Sequence, residues 1–210
     1  MLFHTDRKGR TVWHVTAESG HFVELKEVWE WVKEKLTTEK MKNKLLFYTH
    51  RKGRTVWHVT AERGKFVVLS EIWEWAKEKL TTEEITNKLL LAVYDMGRTV
   101  RDAAAEGGEL GALQKVWEWA KEKLTRGEKK KLLLPTDNTG LSVWHMAAKK
   151  DNLYLLENVL EWAEEKLTIE EINNNLLFHT DGRGKTIWHM AVEFCNAFAL
   201  NKSGSGLNRI

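Results

Sequence analysis

The chain has 210 residues, of which 42% are hydrophobic and 30% are charged, a composition typical of a globular protein and not of a disordered one. Lys and Arg number 33 and Asp and Glu number 30, and the net charge of +3 is too small to indicate a nucleic acid or an anionic membrane as the partner. The single cysteine, Cys195, excludes an intrachain disulfide. No apolar run reaches the roughly 18 residues of a membrane span and the first residues lack a secretory signal, so we expect no membrane insertion and a cytoplasmic location.

A motif that begins Thr-Val-Trp-His at Thr11 returns four more times along the chain. The third residues of the five copies lie 44, 44, 43 and 44 residues apart and are Trp13, Trp57, Arg101, Trp144 and Trp188. Four residues before each of them is a glycine, namely Gly9, Gly53, Gly97, Gly140 and Gly184. A glycine kept in register predicts a turn that needs a positive φ angle.

The repeats divide a single predicted domain, 1–200, into segments of about 1–44, 45–88, 89–131, 132–175 and 176–200, and 201–210 have the composition of a flexible tail or an artificial linker. A unit of this length cannot close a core by itself, so we expect neighbouring repeats to stack.

All 11 tryptophans fall into three columns of the repeat alignment. The first column is Trp13, Trp57, Trp144 and Trp188; the second is Trp29, Trp73 and Trp117; the third is Trp31, Trp75, Trp119 and Trp162. Aromatic residues for ligand binding would not repeat in this way, so we predict that most of these side chains belong to the core.

Each repeat predicts a turn, a short helix, a long helix and a further short helix. In the first repeat the short helix begins near Thr11 and ends at Gly20, and the long helix runs roughly from Phe22 to Leu36 with apolar residues at helical spacing. The further helix opens at a Thr-x-x-Glu capping box, as at Thr168, and ends in Leu-Leu. The third repeat has TRGEKKK in place of the box and is one residue shorter, so its extra helix has the weakest signal, and the fifth repeat is predicted to stop after its first helix.

Trp29 and Trp31 are two residues apart and point about 200° apart around a helix. They cannot both face one neighbour. We expect the second column to pack on the first helix and the third column to contact the extra short helix. In the third repeat Arg101 and Asp102 replace Trp-His, and we expect these two side chains to reach each other or the adjacent repeats and to leave a weaker junction.

The string TVWHVTAESGH, from Thr11 to His21, resembles the signature of ankyrin repeats, with Val12 where proline is usual and Trp13 where leucine is usual. The resemblance covers about 2–196, but the period is about 44 residues where ankyrin repeats have 33. It implies an all-α, ankyrin-like solenoid with hairpin loops, here with an extra short helix in each repeat. HEAT and armadillo repeats have a similar period but lack a glycine-containing loop before Thr-x-Trp-His.

No catalytic, metal or cofactor site emerges from the sequence. His14, His58, His145 and His189 form a column, but stacked helices are about 8–10 Å apart, which is too far for successive residues to share a zinc ion. The resemblance implies a structural role for them, as hydrogen-bond donors and acceptors to the loops. Cys195 occupies the column of a helix-ending glycine and has no base beside it in the sequence. We therefore expect a protein that is not an enzyme and needs no cofactor.

The candidate partner-binding residues lie in and beside the hairpin loops. The basic ones form a positive ridge if the loops stack and are Arg7, Lys8, Arg10, Arg51, Lys52, Arg54, Arg98, Arg183 and Lys185, among the acids Asp6, Asp95, Asp137 and Asp181. On an ankyrin template the apolar ones line the concave face of the first helices and are Val15, Val59, Met146 and Met190. Two other interpretations stay open: the loops are solvated and basic without a role, and the apolar residues fill the space between repeats.

These residues predict a non-catalytic scaffold that binds a partner protein, for which the basic loops favour acidic chemistry, and this prediction includes an effector that acts inside a host cell. The alternative is a structural segment of a longer ankyrin array or a self-associating module.

Overall fold

The computed structural model describes residues 3–134, 136–150 and 153–193. It divides into two compact units, Met1–Lys123 and Leu124–Ile210, and every regular element in the described residues is helical. The predicted all-α class is therefore confirmed. Cys195, the predicted end of the fifth repeat and the tail 201–210 lie outside the described residues.

The first unit holds the first two repeats and most of the third. Its short first helices are α1 (Val12–Ser19), α4 (Val56–Glu62) and α7 (Val100–Gly107), and its long helices are α2 (Phe22–Lys35), α5 (Phe66–Lys79) and α8 (Leu110–Lys123). The extra helices are α3 (Thr38–Met41) and α6 (Thr82–Glu84), which continue as π-helical turns over Lys42–Leu46 and Ile85–Leu90, and a 3-10 turn spans Asp95–Gly97.

The second unit begins with the extra helix of the third repeat. Its helices are α9 (Arg126–Leu133), α10 (Val143–Lys149), α11 (Leu153–Lys166), α12 (Ile169–Ile172) with a π-helical turn over Asn173–Leu177, and α13 (Ile187–Glu193). The predicted order of turn, short helix, long helix and extra helix is thus present in the described repeats.

The extra helix of the third repeat is well capped. Thr125 and Glu128 form a complete capping box, so TRGE does the work of the boxes in the other repeats. The third repeat is one residue shorter than the others, and this difference changes the type of its extra helix. The other extra helices contain a π-helical turn, whereas α9 is α-helical over its whole length. A π turn holds one more residue than an α turn, so the difference of one residue in repeat length accounts for the difference in helix type.

The predicted glycine turns are present, because the five loop glycines all have φ between 70° and 78°. At Gly140 a Cβ atom would also lie 2.7 Å from the backbone nitrogen of Gly182, in the loop of the following repeat. Successive loops approach this closely because they share backbone hydrogen bonds. The N–H of Arg51 donates to the carbonyl of Lys8 at 3.2 Å, and that of Gly182 to the carbonyl of Thr139 at 2.7 Å.

The core of the first unit is made of tryptophan clusters that join successive repeats. Trp75 stacks on Trp29 with ring centroids 4.6 Å apart and also contacts Trp13 at 5.6 Å. Trp119 repeats this arrangement on the preceding pair, at 4.7 Å from Trp73. Trp75 and Trp119 thus join the second and third repeats to the repeat before each of them, a contact that the sequence did not predict. In the described repeats most of these indoles are buried, and the exceptions are Trp31 and the half-buried Trp188.

Arg101 and Asp102 reach each other, as the sequence predicts. Both are buried, and the Arg101 Nε–H donates to the Asp102 carboxylate at 2.8 Å. The same carboxylate accepts the hydroxyl and the N–H of Thr99, both at 2.9 Å, and so performs the capping role that histidine has in the other repeats. Whether the junction is weaker stays a prediction.

We expect Trp29→Ala to lower the free energy of unfolding by about 3–5 kcal/mol, because it removes an indole from a closed cluster. Trp31→Ala, in the same helix, is the matched control and should cost less than half as much because Trp31 is 46% exposed. Urea unfolding followed by far-UV circular dichroism measures both. Equal losses would contradict the assignment of the two columns.

Arg101→Met should destabilise the chain by about 3–5 kcal/mol, because it leaves the buried Asp102 carboxylate without its cation. The double change Arg101→Trp with Asp102→His restores the motif of the other repeats and should regain most of that loss. Thermal unfolding of the three proteins tests this, and an unchanged midpoint for Arg101→Met would show that the pair has no net role.

Candidate protein interaction surface

The first two hairpin loops are shaped by the side chain of the first residue of the turn, whose carbonyl accepts the N–H of the loop glycine. In the first loop the Asp6 carboxylate accepts the N–H groups of Lys8 and Arg10, both at 2.9 Å. These bonds, that of Arg10 first, hold the pKa of Asp6 below its usual range. His50 has the equivalent role in the second loop, where its Nδ1 accepts the N–H of Lys52 at 3.0 Å. The next residues along each loop lie at its exposed tip.

The third loop has a different arrangement. Tyr94 stands where the first loop has Asp6, and its buried ring lies 4.8 Å from the His58 ring and 4.8 Å from the Arg54 guanidinium. The acid of this loop, Asp95, lies one position later in the repeat alignment than the acids of the other loops, and it is exposed. Burial raises the pKa of the Tyr94 phenol above its usual range.

Four of the predicted basic residues form ion pairs within their own repeats. Each pairs with a glutamate eight residues later, at the end of the first helix; the pairs are Arg10–Glu18 at 2.6 Å, Arg54–Glu62 at 2.5 Å, Arg98–Glu106 at 2.7 Å and Lys185–Glu193 at 2.5 Å. The sequence carried a signal for this pairing. In the fourth repeat Leu141 and Lys149 stand where the others have the base and the acid, so both members change together.

The predicted apolar groove is closed at three of its four residues. Val59 and Met146 are each 4% exposed and Met190 is 8% exposed, whereas Val15 is 39% exposed. Burial of this kind agrees with the alternative interpretation that these residues fill space between repeats. They offer little apolar surface to a partner in this structure.

The remaining basic residues stay open at the loop tips. Arg7, Lys8, Arg51 and Lys52 are exposed, and among the described residues none of these four side chains takes part in an ion pair. They belong to two successive loops of the first unit that share the hydrogen bond from Arg51 to Lys8. We call these four residues the basic tip patch. In the second unit Arg183 is exposed at the tip of its loop.

The histidine column caps the first helices, as expected. The Thr55 hydroxyl lies 2.9 Å from His58 Nδ1, and His58 Nε2 lies 3.4 Å from the carbonyl of Ala92, just before the next loop. In the second unit His145 Nδ1 lies 2.8 Å from the Ser142 hydroxyl, and its Nε2 lies 3.2 Å from the carbonyl of Lys185. A neutral ring with its proton on Nε2 satisfies both contacts. Burial lowers the pKa of His58 to about 4, and that of His14 likewise to about 4.

The described residues contain no cluster of three or more His, Cys, Asp or Glu side chains that could hold a metal ion. Their helices are all too short or too polar to cross a membrane.

Comparison with known proteins adds no family. No protein-family model matches the chain, and a search of the curated proteins finds no match.

Acid should weaken the fold through buried histidines, of which His14 and His58 have the largest pKa shifts. Their pKa is lowered in the folded state, so the unfolded chain binds more protons below pH 6.5 and stability falls as the pH drops toward about 4. Each histidine should cost about 2 kcal/mol between pH 7 and pH 5. Urea midpoints at the two pH values measure this effect. His58→Gln keeps a capping residue and should remove about 2 kcal/mol of the change, whereas an unaltered pH dependence would exclude His58 as a source of it.

Proposed function

We propose that the chain is a non-catalytic scaffold of ankyrin-like repeats that binds an acidic segment of a partner protein on the basic tip patch. The ankyrin-like arrangement is supported within each unit by glycine loops joined through their backbones, by Thr-x-Trp-His or Ser-x-Trp-His caps, and by a short helix followed by a long helix in the first four repeats. The extra helix is the feature that departs from the usual repeat.

The observation that carries the proposed function is the contrast between two sets of basic residues. Arg10, Arg54 and Arg98 are bound to glutamates and hold each loop to its helix. The basic tip patch makes no such pair and is held in place by the loop backbones. Four cations from two adjoining loops repel one another, and a carboxylate-rich segment relieves that repulsion when it binds.

The chemistry of the patch favours an acidic partner in an exposed conformation. Guanidinium groups bind carboxylates through two parallel hydrogen bonds, and lysines add charge that speeds association. Because the cations are exposed, the interaction should be strong at low salt and weaken as salt screens it. The buried Val59, Met146 and Met190 have no part in this proposal. The proposal extends to a scaffold in the cytoplasm and to an effector that acts inside a host cell.

A synthetic peptide of alternating Glu and Gly residues, labelled with a fluorophore, provides a direct probe. We expect the parent chain to bind it at low salt and Arg51→Glu with Lys52→Glu to bind at least about tenfold more weakly, measured by fluorescence anisotropy. Arg126→Glu with Lys131→Glu makes the same change in net charge on exposed residues of α9 and is the matched control. Equal weakening in both variants would show that net charge acts and the patch does not.

The same pair of variants identifies the natural partner. Affinity capture from the source cell with mass spectrometry should recover a protein with the parent and with the α9 variant and lose it with the loop variant. Circular dichroism must show that all three proteins are folded.

A further inference from the structure

The first repeat leaves open a surface that the next two repeats of its unit keep closed. Val12 is 46% exposed and Trp31 is 46% exposed on its outer side. The residues at the same positions of the second and third repeats are Val56 and Val100, both fully buried, and Trp75 and Trp119, which are 6% and 7% exposed. Val15 follows the same rule, because its counterpart Val59 is buried. We call Val12, Val15 and Trp31 the open face.

The closed copies show what this surface contacts. The indole of Trp75 lies against two indoles of the repeat before it, those of Trp29 and Trp13, with interplanar angles of 10° and 35°. Trp119 lies against Trp73 and Trp57 with angles of 16° and 33°. The unit therefore builds the same three-indole joint twice, and Trp31 is the third member of such a joint without the other two.

A joint of this kind needs a particular occupant. It must present two stacked indoles, one from a short helix and one from the long helix that follows, and its neighbouring surface must accept the valines at positions 12 and 15. Within the first unit the pairs Trp13–Trp29 and Trp57–Trp73 are already covered by Trp75 and Trp119. A second copy of this unit consequently offers no open pair of the required geometry.

We propose that the open face is a docking surface for a further repeat of this same tryptophan type, which presents its first- and second-column indoles to Trp31. The inference does not depend on the basic tip patch. It rests on burial at matched positions and on a joint that occurs twice in the same unit.

The experiment adds the missing neighbour. A duplicate of residues 1–44 is fused directly before Met1 of the full chain, so that the junction repeats the natural one from Lys44 to Leu45 with Met in place of Leu. In the parent, Trp31→Ala should shift the urea midpoint by a small fraction of the shift caused by Trp75→Ala. In the fusion the same Trp31 becomes an interior residue, and its substitution should shift the midpoint about as much as Trp75→Ala does.

A second measurement does not depend on how the unfolding transition is shared between the units. The difference in fluorescence between each protein and its Trp31→Phe variant reports the emission of Trp31 alone. We expect emission typical of a solvated indole in the parent and a shift to shorter wavelength with weaker acrylamide quenching in the fusion. Unchanged emission together with an equally mild Trp31→Ala in both backgrounds would overturn the proposal.

Sedimentation of the parent over a range of concentrations tests the competing occupant. We expect a monomer. A dimer that Trp31→Ala dissolves would show that a second copy covers the open face and would overturn the choice of partner made here. Loss of peptide binding at the basic tip patch would leave this inference intact, because no residue is shared between the two surfaces.

Discussion

The three-indole joint is the interaction on which the first unit depends. A repeat of about 44 residues has too few apolar side chains to close its own core, and the joint solves this by placing the third-column indole of one repeat against two indoles of the repeat before it. Flat stacking at 4.6 and 4.7 Å fixes the distance between successive long helices. The hydrogen bonds between loops accompany this packing, because each loop leads directly into the short helix whose second residue is the first-column tryptophan.

Sequence reasoning predicted the parts of this fold that depend on local rules. Helix order, the positive φ of the loop glycines and the role of the histidines all follow from capping and turn chemistry that acts within a few residues. The packing partners of the third-column tryptophans could not be predicted from the sequence. Helical periodicity shows on which side of a helix a residue lies, but it does not show which element packs against that side. The two columns were correctly separated, but the stacking of Trp75 and Trp119 on indoles of the preceding repeat was not predicted.

The candidate surface was predicted in part for a similar reason. Composition showed that the loops are basic, but it did not show that a glutamate eight residues later binds Arg10, since most of α1 lies between the two. The apolar residues were identified from a position on a template, and burial depends on how closely the next repeat packs. What stays open for a partner is the set of cations whose loop position points away from the helix, and this set is smaller than the sequence suggests.

Where one repeat departs from the sequence of the others, two matched positions change together. Such paired changes identify side chains that depend on each other. Arg101 replaces a tryptophan together with Asp102, which binds it and takes over the cap. In the fourth repeat Leu141 stands at the position of the base, and Lys149 stands at the position of the glutamate that pairs with that base in the other repeats. A charge left without its partner at position 101, 102 or 141 would be buried or half-buried, and its desolvation would lower the stability of the fold. The tip residues have no such coupling, since Arg7, Lys8, Arg51 and Lys52 are exposed and form no ion pair in the described part of the chain, and we therefore expect a change of charge there to cost little stability.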